Sequence, residues 1–197
     1  MALSFHPNKN MTTGEGGCLI VNSAAEATHF EKLRLQGVTR SADGTYDCDV
    51  LGGKANLTDI CAAIGLGQLA YLDQANARRR ELARLYLEQL HGASLGLPPA
   101  DFEQTNWDMF QVLLPEALAA RHPALIAALK AAGIGSGVHY PAIHTTTLYR
   151  NLGWRRGDLP HTESVAARIL TLPLFPQMAD DDVERVCTAL LAMVKGY

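Results

Sequence analysis

The sequence lacks the marks of several common protein classes. No run of apolar residues approaches the roughly 20 that a membrane-spanning helix needs. The first residues show neither the apolar core nor the cleavage site of a signal peptide. The four cysteines are far apart and form no CxxC pair, which argues against a zinc or redox motif. We therefore expect a cytoplasmic protein with reduced thiols and no membrane partner.

Positive charge is also scarce. Asp and Glu outnumber Lys and Arg by 20 to 17, which gives a net charge of −3, whereas nucleic-acid-binding domains are usually basic. An arginine-rich segment over 78–84 could suggest a regulatory or nucleic-acid-binding role. A solvated helix face near acidic side chains is the simpler interpretation, and we expect no nucleic-acid partner.

Several catalytic motifs are missing as well. The sequence contains no GxSxG, HExxH or GxGxxG motif, and residues 14–17 lack the Gly-Lys-Ser/Thr end of a P-loop. His139 and His144 lie on either side of Pro141, so they do not share a helix face, and no third ligand accompanies them. We predict no metal site. A polar pocket wall and plain loop packing both remain open for these histidines.

What is present indicates a globular chain of helices and strands. Hydrophobic residues make up 48% of the 197 residues, enough for a sizeable core. Ser23 followed by Glu26 predicts a capped helix over 24–36. A long helix is predicted over 60–91, and its first half is apolar nearly all round, which is typical of a core or an interface. Shorter helices are predicted over 115–132, 164–170 and 178–194.

Strands are predicted where short apolar runs stand between turn signals. These runs are 18–21, 109–114 and 134–140. Residues 38–53 are polar and contain two turn signals, so a loop is predicted there. Helices and strands alternate along the chain, which indicates the α/β or α+β class.

Lys9 is the sharpest candidate for chemistry. It follows Pro7 and precedes a glycine-rich turn, and Ser4, Thr12 and Thr13 lie close to it in sequence. A lysine amine attacks a carbonyl only when it is neutral, and the hydroxyls and amides of a glycine-rich loop can hold a phosphate. An amine beside a phosphate anchor suits pyridoxal phosphate. By composition alone, an ordinary surface lysine remains the alternative.

The segment that contains Lys9 reads SFHPNKNMTTGEGG. It resembles the Ser-Phe-His-x-x-Lys-x-x-Thr-x-Gly-Glu-Gly-Gly motif of the DegT-type sugar aminotransferases, which are pyridoxal 5′-phosphate enzymes of fold type I. Other segments are similar to that family in the expected order: LGGKANLTDICAAIGLGQL, RRRELARLY, GIGSGVHYPAIH and LPLFPQMADDDVERV. The resemblance therefore covers nearly the whole chain.

The resemblance implies a fold and an activity. Within an α/β fold, residues 1–72 would be the C-terminal part of the large domain, and residues 73–197 would form a connecting helix and a small α+β domain. The activity would move an amino group from an amino acid, glutamate above all, to a keto group of a nucleotide-linked sugar. Such sugars enter surface polysaccharide, lipopolysaccharide or antibiotics. A dehydratase variant of the family has histidine in place of the lysine, so Lys9 points to transamination.

The resemblance also implies roles for residues. Lys9 would form the Schiff base with the cofactor and shuttle the proton, Ser4 would bind the cofactor phosphate, and His6 would lie near the cofactor. Lys54 and Asn56 stand where the family usually has Asn and Arg, as in a subgroup that acts on 4-keto pentose nucleotides. Their loop would reach the cofactor of the neighbouring subunit in a homodimer.

The substrate would be contacted by other positions. The resemblance implies that Glu15 lies on the substrate side, and that His139, Tyr140 and His144 line the sugar. Asp108 stands where the family often has His, so that contact differs here.

The resemblance also implies that some parts of the site precede this sequence. In the family, the aspartate that pairs with the pyridinium nitrogen and the phosphate-binding turn lie before the lysine motif. The chain would then be the C-terminal half of a longer enzyme. The alternative is an inactive fragment or a subunit without cofactor that dimerises through the helix over 60–72. Exposed apolar surface predicts aggregation or an obligate oligomer.

Overall fold

A computed structural model describes residues 1–195 of the chain. Its helices are α1 (Ala24–Arg34), α2 (Asp59–Gln89), α3 (His122–Ala131), α4 (Thr147–Asn151), α5 (Pro160–Ala166) and α6 (Asp180–Val194). Its strands are β1 (Ala2–Ser4), β2 (Gly17–Leu19), β3 (Val38–Arg40), β4 (Tyr46–Cys48), β5 (Phe110–Leu113) and β6 (Ile169–Leu172). The chain divides into two compact units, Met1–Asp73 and Gln74–Tyr197, which we call unit 1 and unit 2.

Unit 1 contains two antiparallel strand pairs and α1. Strand β1 pairs with β2, with Ser4 opposite Gly17. The predicted capping box of α1 is present: the Ser23 hydroxyl accepts a hydrogen bond from the Glu26 amide, and the Glu26 carboxylate accepts one from the Ser23 amide at 3.2 Å. The helix ends at Arg34, two residues before the predicted end, because the chain turns there toward Gly37.

The prediction of a loop over 38–53 is wrong, because part of it forms the β3–β4 hairpin. The hairpin turn is stabilised by the Asp43 carboxylate, which accepts the Thr45 amide at 3.0 Å. Gly37, just before β3, has φ +77°, and a Cβ there would lie 1.8 Å from the Val50 carbonyl oxygen. Only glycine fits this position. The hairpin therefore depends on a close backbone contact, which the spacing of hydrophobic residues does not predict.

Unit 2 contains the hydrophobic core. Its buried side chains come from the second half of α2, from β5 and β6, and from α3 and α6. Phe110 of β5 stacks on Tyr86 of α2, with ring centroids 4.7 Å apart, and Trp107 lies 5.9 Å from Phe110. The buried Tyr86 hydroxyl donates to the Pro173 carbonyl at 2.8 Å, and burial raises the pKa of Tyr86. Aromatic rings therefore pack α2 against β5 in the core of unit 2.

Two helix predictions in unit 2 are wrong. Residues 115–132 are not one helix: a 3-10 helix over Glu116–Arg121 precedes α3, because Pro123 in the first turn of α3 has no amide to continue the preceding turn. Residues 164–170 are not one helix either, since α5 ends at Ala166 and β6 pairs with β5. Long-range pairing here overrides local helix propensity.

The predicted strand over 134–140 is also absent as a strand. Within this described segment, only an isolated bridge between Gly137 and Thr171 is formed, with hydrogen bonds of 2.8 and 3.1 Å. The glycines on either side of Ser136 interrupt the run of side chains that would pack on a neighbouring strand. The bridge nevertheless attaches this segment to β6.

The arginine-rich segment is only in part the solvated helix face near acidic side chains that was predicted: Arg84 is exposed, but Arg79 is not. The Arg79 side chain is buried and donates to the carbonyls of Trp107, Asp108 and Leu174 at 3.3, 3.2 and 2.8 Å. Burial lowers the pKa of Arg79. Arg78 forms ion pairs with Asp180 and Glu81. These two arginines therefore tie parts of unit 2 together.

Among the described residues, no helix combines the length and apolar character needed to cross a membrane. Residues 1–195 also contain no group of three His, Cys, Asp or Glu side chains that could hold a metal ion.

Candidate active site

The Lys9 segment is a loop closed at its neck by Phe5. The Phe5 amide donates to the Gly16 carbonyl at 3.0 Å, and the Phe5 carbonyl accepts the Thr13 amide at 3.1 Å and the Thr12 hydroxyl at 3.0 Å. These bonds continue the β1–β2 ladder across the base of the loop. Lys9 therefore lies in a loop whose two ends are joined.

Lys9 itself ends a tight turn. Its amide donates to the His6 carbonyl at 3.0 Å, and Pro7 supplies the restricted φ that favours the second position of such a turn. Inside the turn, Nδ1 of His6 lies 2.6 Å from Oδ1 of Asn8. Lys9 is half-buried, whereas His6 is exposed. The backbone on which the lysine stands is therefore well defined.

The far side of the loop packs on α2. Thr13 is only 2% exposed, and its hydroxyl donates to the Glu15 carbonyl at 2.8 Å. A Cβ on Gly65 of α2 would lie 2.8 Å from Cγ2 of Thr13. Glycine at this helix position is needed for the close approach, although it weakens the helix. The glycine therefore holds the loop against the first turns of α2.

Two other predicted cofactor residues of unit 1 are Ser4 and Lys54. Ser4 is exposed, and its Oγ accepts a hydrogen bond from the His6 amide at 3.4 Å. The hydroxyl proton of Ser4 is therefore available to a different acceptor. Lys54 is exposed on a segment bound to the end of α1: the amides of Gly53 and Ala55 donate to Leu33 and Arg34, both at 2.8 Å. The backbone at Lys54 is thus anchored while the side chain reaches solvent.

A cleft in unit 1 brings Glu15 and Asn56 together. It has a volume of about 290 Å³ and lies between the glycine-rich end of the Lys9 loop and the start of α2. Thr58, whose Oγ1 accepts the Cys61 amide at 3.3 Å, lines it as well. A predicted substrate residue and a predicted cofactor residue therefore face the same space.

The predicted residues of unit 2 differ in exposure. Nδ1 of His139 lies 2.9 Å from Oγ1 of Thr171, and the His139 carbonyl accepts the side-chain amide of Gln111 at 2.7 Å. Tyr140 is 58% exposed, whereas His144 is 5% exposed. Tyr140 can contact a ligand from solvent, but the His144 ring is closed off from it.

His144 instead contacts Glu163 of α5. Nε2 of His144 lies 2.8 Å from Oε1 of Glu163, which also accepts the Gly157 amide at 2.6 Å. These two hydrogen bonds, from His144 first and then from Gly157, lower the pKa of Glu163. The carboxylate therefore joins three separate parts of unit 2.

The family that the Lys9 motif indicates is also found by comparison with protein families. Residues 1–191 match the model of the DegT/DnrJ/EryC1/StrS aminotransferase family. The chain belongs to this family. A curated relative, the uncharacterised protein MJ1066 of Methanocaldococcus jannaschii, is 33% identical over 205 residues, which cover 98% of this chain and 53% of the relative.

Several solved structures are similar to the chain. The putative sugar aminotransferase Spr1654 of Streptococcus pneumoniae, in its PMP form, is 26% identical with a TM-score of 0.88, over 98% of this chain and 52% of that one. DesV of S. venezuelae, solved with a ketimine intermediate, is 32% identical with a TM-score of 0.87, over 100% and 52%. The chain spans about half the length of the relatives that it matches.

The Helicobacter pylori aminotransferase PseC has a TM-score of 0.93 at 21% identity, over 100% of this chain and 53% of that one, and supports the fold alone. The mixed α/β class predicted from the sequence is confirmed by these neighbours. The predicted family is confirmed as well, and aminotransferases of this family use pyridoxal phosphate.

Sequence reasoning missed the residues that support the candidate site. Gln111, Glu163 and Thr171 contact the predicted residues of unit 2, and Asn8 contacts His6. Only Asn8 carried a local signal, because an Asn beside a proline in a turn commonly bonds its neighbours. The other three partners are 19 to 32 residues away along the chain.

Proposed function

We propose that this chain takes part in pyridoxal-phosphate-dependent transfer of an amino group, from glutamate, to a keto group of a nucleotide-linked sugar. The products would enter polysaccharide, lipopolysaccharide or related sugar synthesis. One observation carries the proposal: Lys9 of the family motif stands on a turn that is closed at Phe5 and packed on Gly65. A lysine that forms a covalent bond with a cofactor needs a defined backbone of this kind.

The side chains around Lys9 fit the cofactor chemically. An amine, a serine hydroxyl whose proton is available for donation and an exposed imidazole lie within one segment of six residues, Ser4–Lys9. When bound, pyridoxal phosphate supplies an electrophilic carbon and an electron sink. Lys9 would hold it through the amine, and Ser4 would donate to a phosphate oxygen.

Lys9 would have a second role after the amine is released. A neutral lysine amine can accept a proton from the reacting carbon of the substrate and return it to the neighbouring position. The turn that ends at Lys9 would keep the amine within reach during both transfers. His6, fixed by Asn8, would lie beside the cofactor as a hydrogen-bonding group.

Lys54 and Asn56 would complete the cofactor site of a neighbouring subunit. The segment that carries Lys54 is bound to α1, and the Lys54 side chain is exposed. Its ammonium would bind a phosphate oxygen of the cofactor in the neighbouring subunit. A homodimer is supported by the first half of α2, where Ile60 is 77%, Leu66 71% and Leu69 56% exposed. Apolar side chains in such number are typical of a protein interface.

In unit 1, Glu15 of the cleft would contact the substrate. In unit 2, His139 and Tyr140 are the residues that we propose for substrate contact. Glu15 can accept hydrogen bonds from sugar hydroxyls, and Tyr140 presents a ring and a hydroxyl to solvent. His144 is closed off from solvent, so we assign it a supporting role in the same segment.

The domain assignment is part of the proposal. Unit 1 would correspond to part of the large domain, and unit 2 to the connecting helix and the small domain. The same exposed face of α2 also favours the second candidate, a subunit that dimerises but binds no cofactor. The cytoplasmic location stays a prediction of the sequence.

The deciding experiment is borohydride trapping on the purified chain. The chain is incubated with pyridoxal phosphate, reduced, digested and analysed by mass spectrometry. We expect a reduced adduct on Lys9 that is lost in Lys9→Ala and kept in Lys130→Ala, a matched change of an exposed lysine on α3. Incubation with L-glutamate before reduction should lower the yield on Lys9, because amino transfer frees the lysine.

The same experiment separates the two candidates. Labelling spread over many lysines, unchanged in Lys9→Ala, would contradict the proposed Lys9 role and favour the dimerising subunit. Sedimentation at two concentrations then reports whether the chain associates, and a monomer at both would remove the dimer from either candidate.

A further inference from the structure

The segment over 139–144 is held at both ends; between them Tyr140 is exposed and Ala142 is buried. At its start, His139 bonds Gln111 of β5 and Thr171 of β6. At its end, His144 is buried and bonds Glu163. Between these anchors, Tyr140 is 58% exposed. A short loop anchored at both ends has few conformations, so its exposed ring is presented in a defined direction.

The first anchor belongs to the sheet of unit 2. Gly137 exchanges two backbone hydrogen bonds with Thr171, at 2.8 and 3.1 Å, and Thr171 is 8% exposed. Because β6 pairs with β5 along its whole length, this end of the segment is attached to the sheet of unit 2. Once β5 and β6 have paired, the position of this first anchor is set by the sheet.

The second anchor depends on one carboxylate. Oε1 of Glu163 accepts from Nε2 of His144 at 2.8 Å and from the Gly157 amide at 2.6 Å. Since a carboxylate only accepts, Nε2 carries the hydrogen and the ring is the Nε2–H tautomer. Nδ1 of His144 is buried without a hydrogen-bond partner among the described residues, so the contact with Glu163 is what orients the ring.

We propose that Glu163 is a positioning residue that acts through His144 to orient Tyr140. The importance of Tyr140 for the sugar rests on the proposed function, but the orientation does not. Loss of the carboxylate would free the end of the segment and let the Tyr140 ring move, while the first anchor and the core stay in place. Hydrogen bonds to charged groups are strong enough for this effect.

Three variants of the full chain test the proposal without cofactor or substrate. Glu163→Ala removes the acceptor, and Glu163→Gln keeps a carbonyl acceptor without the charge. Glu184→Ala is the matched control, because Glu184 is an exposed carboxylate on α6. Nuclear magnetic resonance of the folded chain reports the His144 tautomer from its ring nitrogens and the Tyr140 conformation from its ring signals. The indole signal of Trp107, in the core, reports that the fold is intact.

We expect Glu163→Ala to change the His144 ring signals and the Tyr140 ring signals together, with Trp107 unchanged. Amide exchange over 142–146 and at Gly157 should become about tenfold faster or more. Glu163→Gln should restore the Nε2–H tautomer and the Tyr140 signals, because its side-chain oxygen accepts the same two hydrogens. Glu184→Ala should match the wild type in all respects.

Two results would overturn the proposal. Unchanged Tyr140 signals in Glu163→Ala, together with an altered His144, would mean that the second anchor does not reach the tyrosine. Equal changes in Glu163→Gln and Glu163→Ala would mean that the shared acceptor is not what holds the segment. Both measurements are independent of borohydride trapping at Lys9, so the proposed function and this inference can fail separately.

Discussion

Unit 1 and unit 2 are ordered by different interactions. All the buried apolar side chains among the described residues belong to unit 2, from Ala75 to Val194. In unit 1, residues 1–73, the side chain that is buried is the polar Thr13. Most of the large apolar side chains that are exposed also belong to unit 1. Unit 1 is held instead by backbone hydrogen bonds and by close contacts at glycines, such as Gly37 and Gly65.

Stability and site geometry therefore depend on different parts of the molecule. Burial of apolar area contributes roughly 25 cal/mol per Å², so the free energy of unfolding should come mainly from unit 2. The Lys9 loop depends on a few hydrogen bonds and on the close approach that Gly65 allows. A substitution there can displace the site with little loss of folding free energy. Four experiments test this difference between the two units.

The largest effect is expected in the aromatic core. Phe110→Ala should lower the free energy of unfolding by about 3–5 kcal/mol, because it leaves a cavity beside Tyr86. Leu66→Ala, its counterpart on the exposed face of α2, should change it by less than about 0.5 kcal/mol. Urea unfolding followed by circular dichroism measures both. A similar loss in the two variants would break the contrast and mean that the Leu66 face is covered in solution.

A smaller loss is expected at the buried arginine. Arg79→Met should cost about 3 kcal/mol, because the carbonyls of Trp107, Asp108 and Leu174 lose their donor in the interior. Arg78→Met, which removes ion pairs that are partly open to solvent, should cost about 1 kcal/mol or less. The same urea titration applies. If Arg78→Met is the more damaging change, the interior hydrogen bonds are not what joins these segments.

In unit 1 the expected loss is smaller but falls on the site. Gly37→Ala should cost about 2 kcal/mol, because φ is +77° and the new Cβ meets the Val50 carbonyl. Gly44→Ala, at φ +86° in open space, should cost about 1 kcal/mol from backbone strain alone. Hydrogen exchange at Gly53 and Ala55 measures the displacement beside Lys54. Equal protection of these amides in both variants would contradict the steric argument.

The smallest effect is a dependence on pH in unit 2. Burial lowers the pKa of His122 from its usual 6.5, against the opposing effect of a hydrogen bond with the Ile169 backbone. The unfolded chain therefore binds the proton at higher pH, and stability falls as pH decreases from about 7 toward 5. Thermal unfolding of wild type and His122→Gln over this range should show a flatter profile in the variant. A parallel decline in both would assign the effect to other groups.

Prediction from sequence succeeded where the interaction is local. The Ser23–Glu26 capping box spans four residues, and the long helix was predicted within about two residues at each end. It failed at β6, which was predicted as the end of a helix, because its partner β5 lies more than 50 residues earlier. It failed at the β3–β4 hairpin for a different reason, since the hairpin depends on the space beside Gly37.

By itself, the sequence determined the family, the capping of α1, the long helix and the motif in which Lys9 stands. These features depend on residue identity or on contacts between near neighbours. Only the tertiary structure decided that Arg79 is interior, that His144 is closed off and joined to Glu163, and that Glu15 and Asn56 share a cleft. Such pairs form when distant segments meet, so their energies depend on burial and distance that the linear order of residues does not contain.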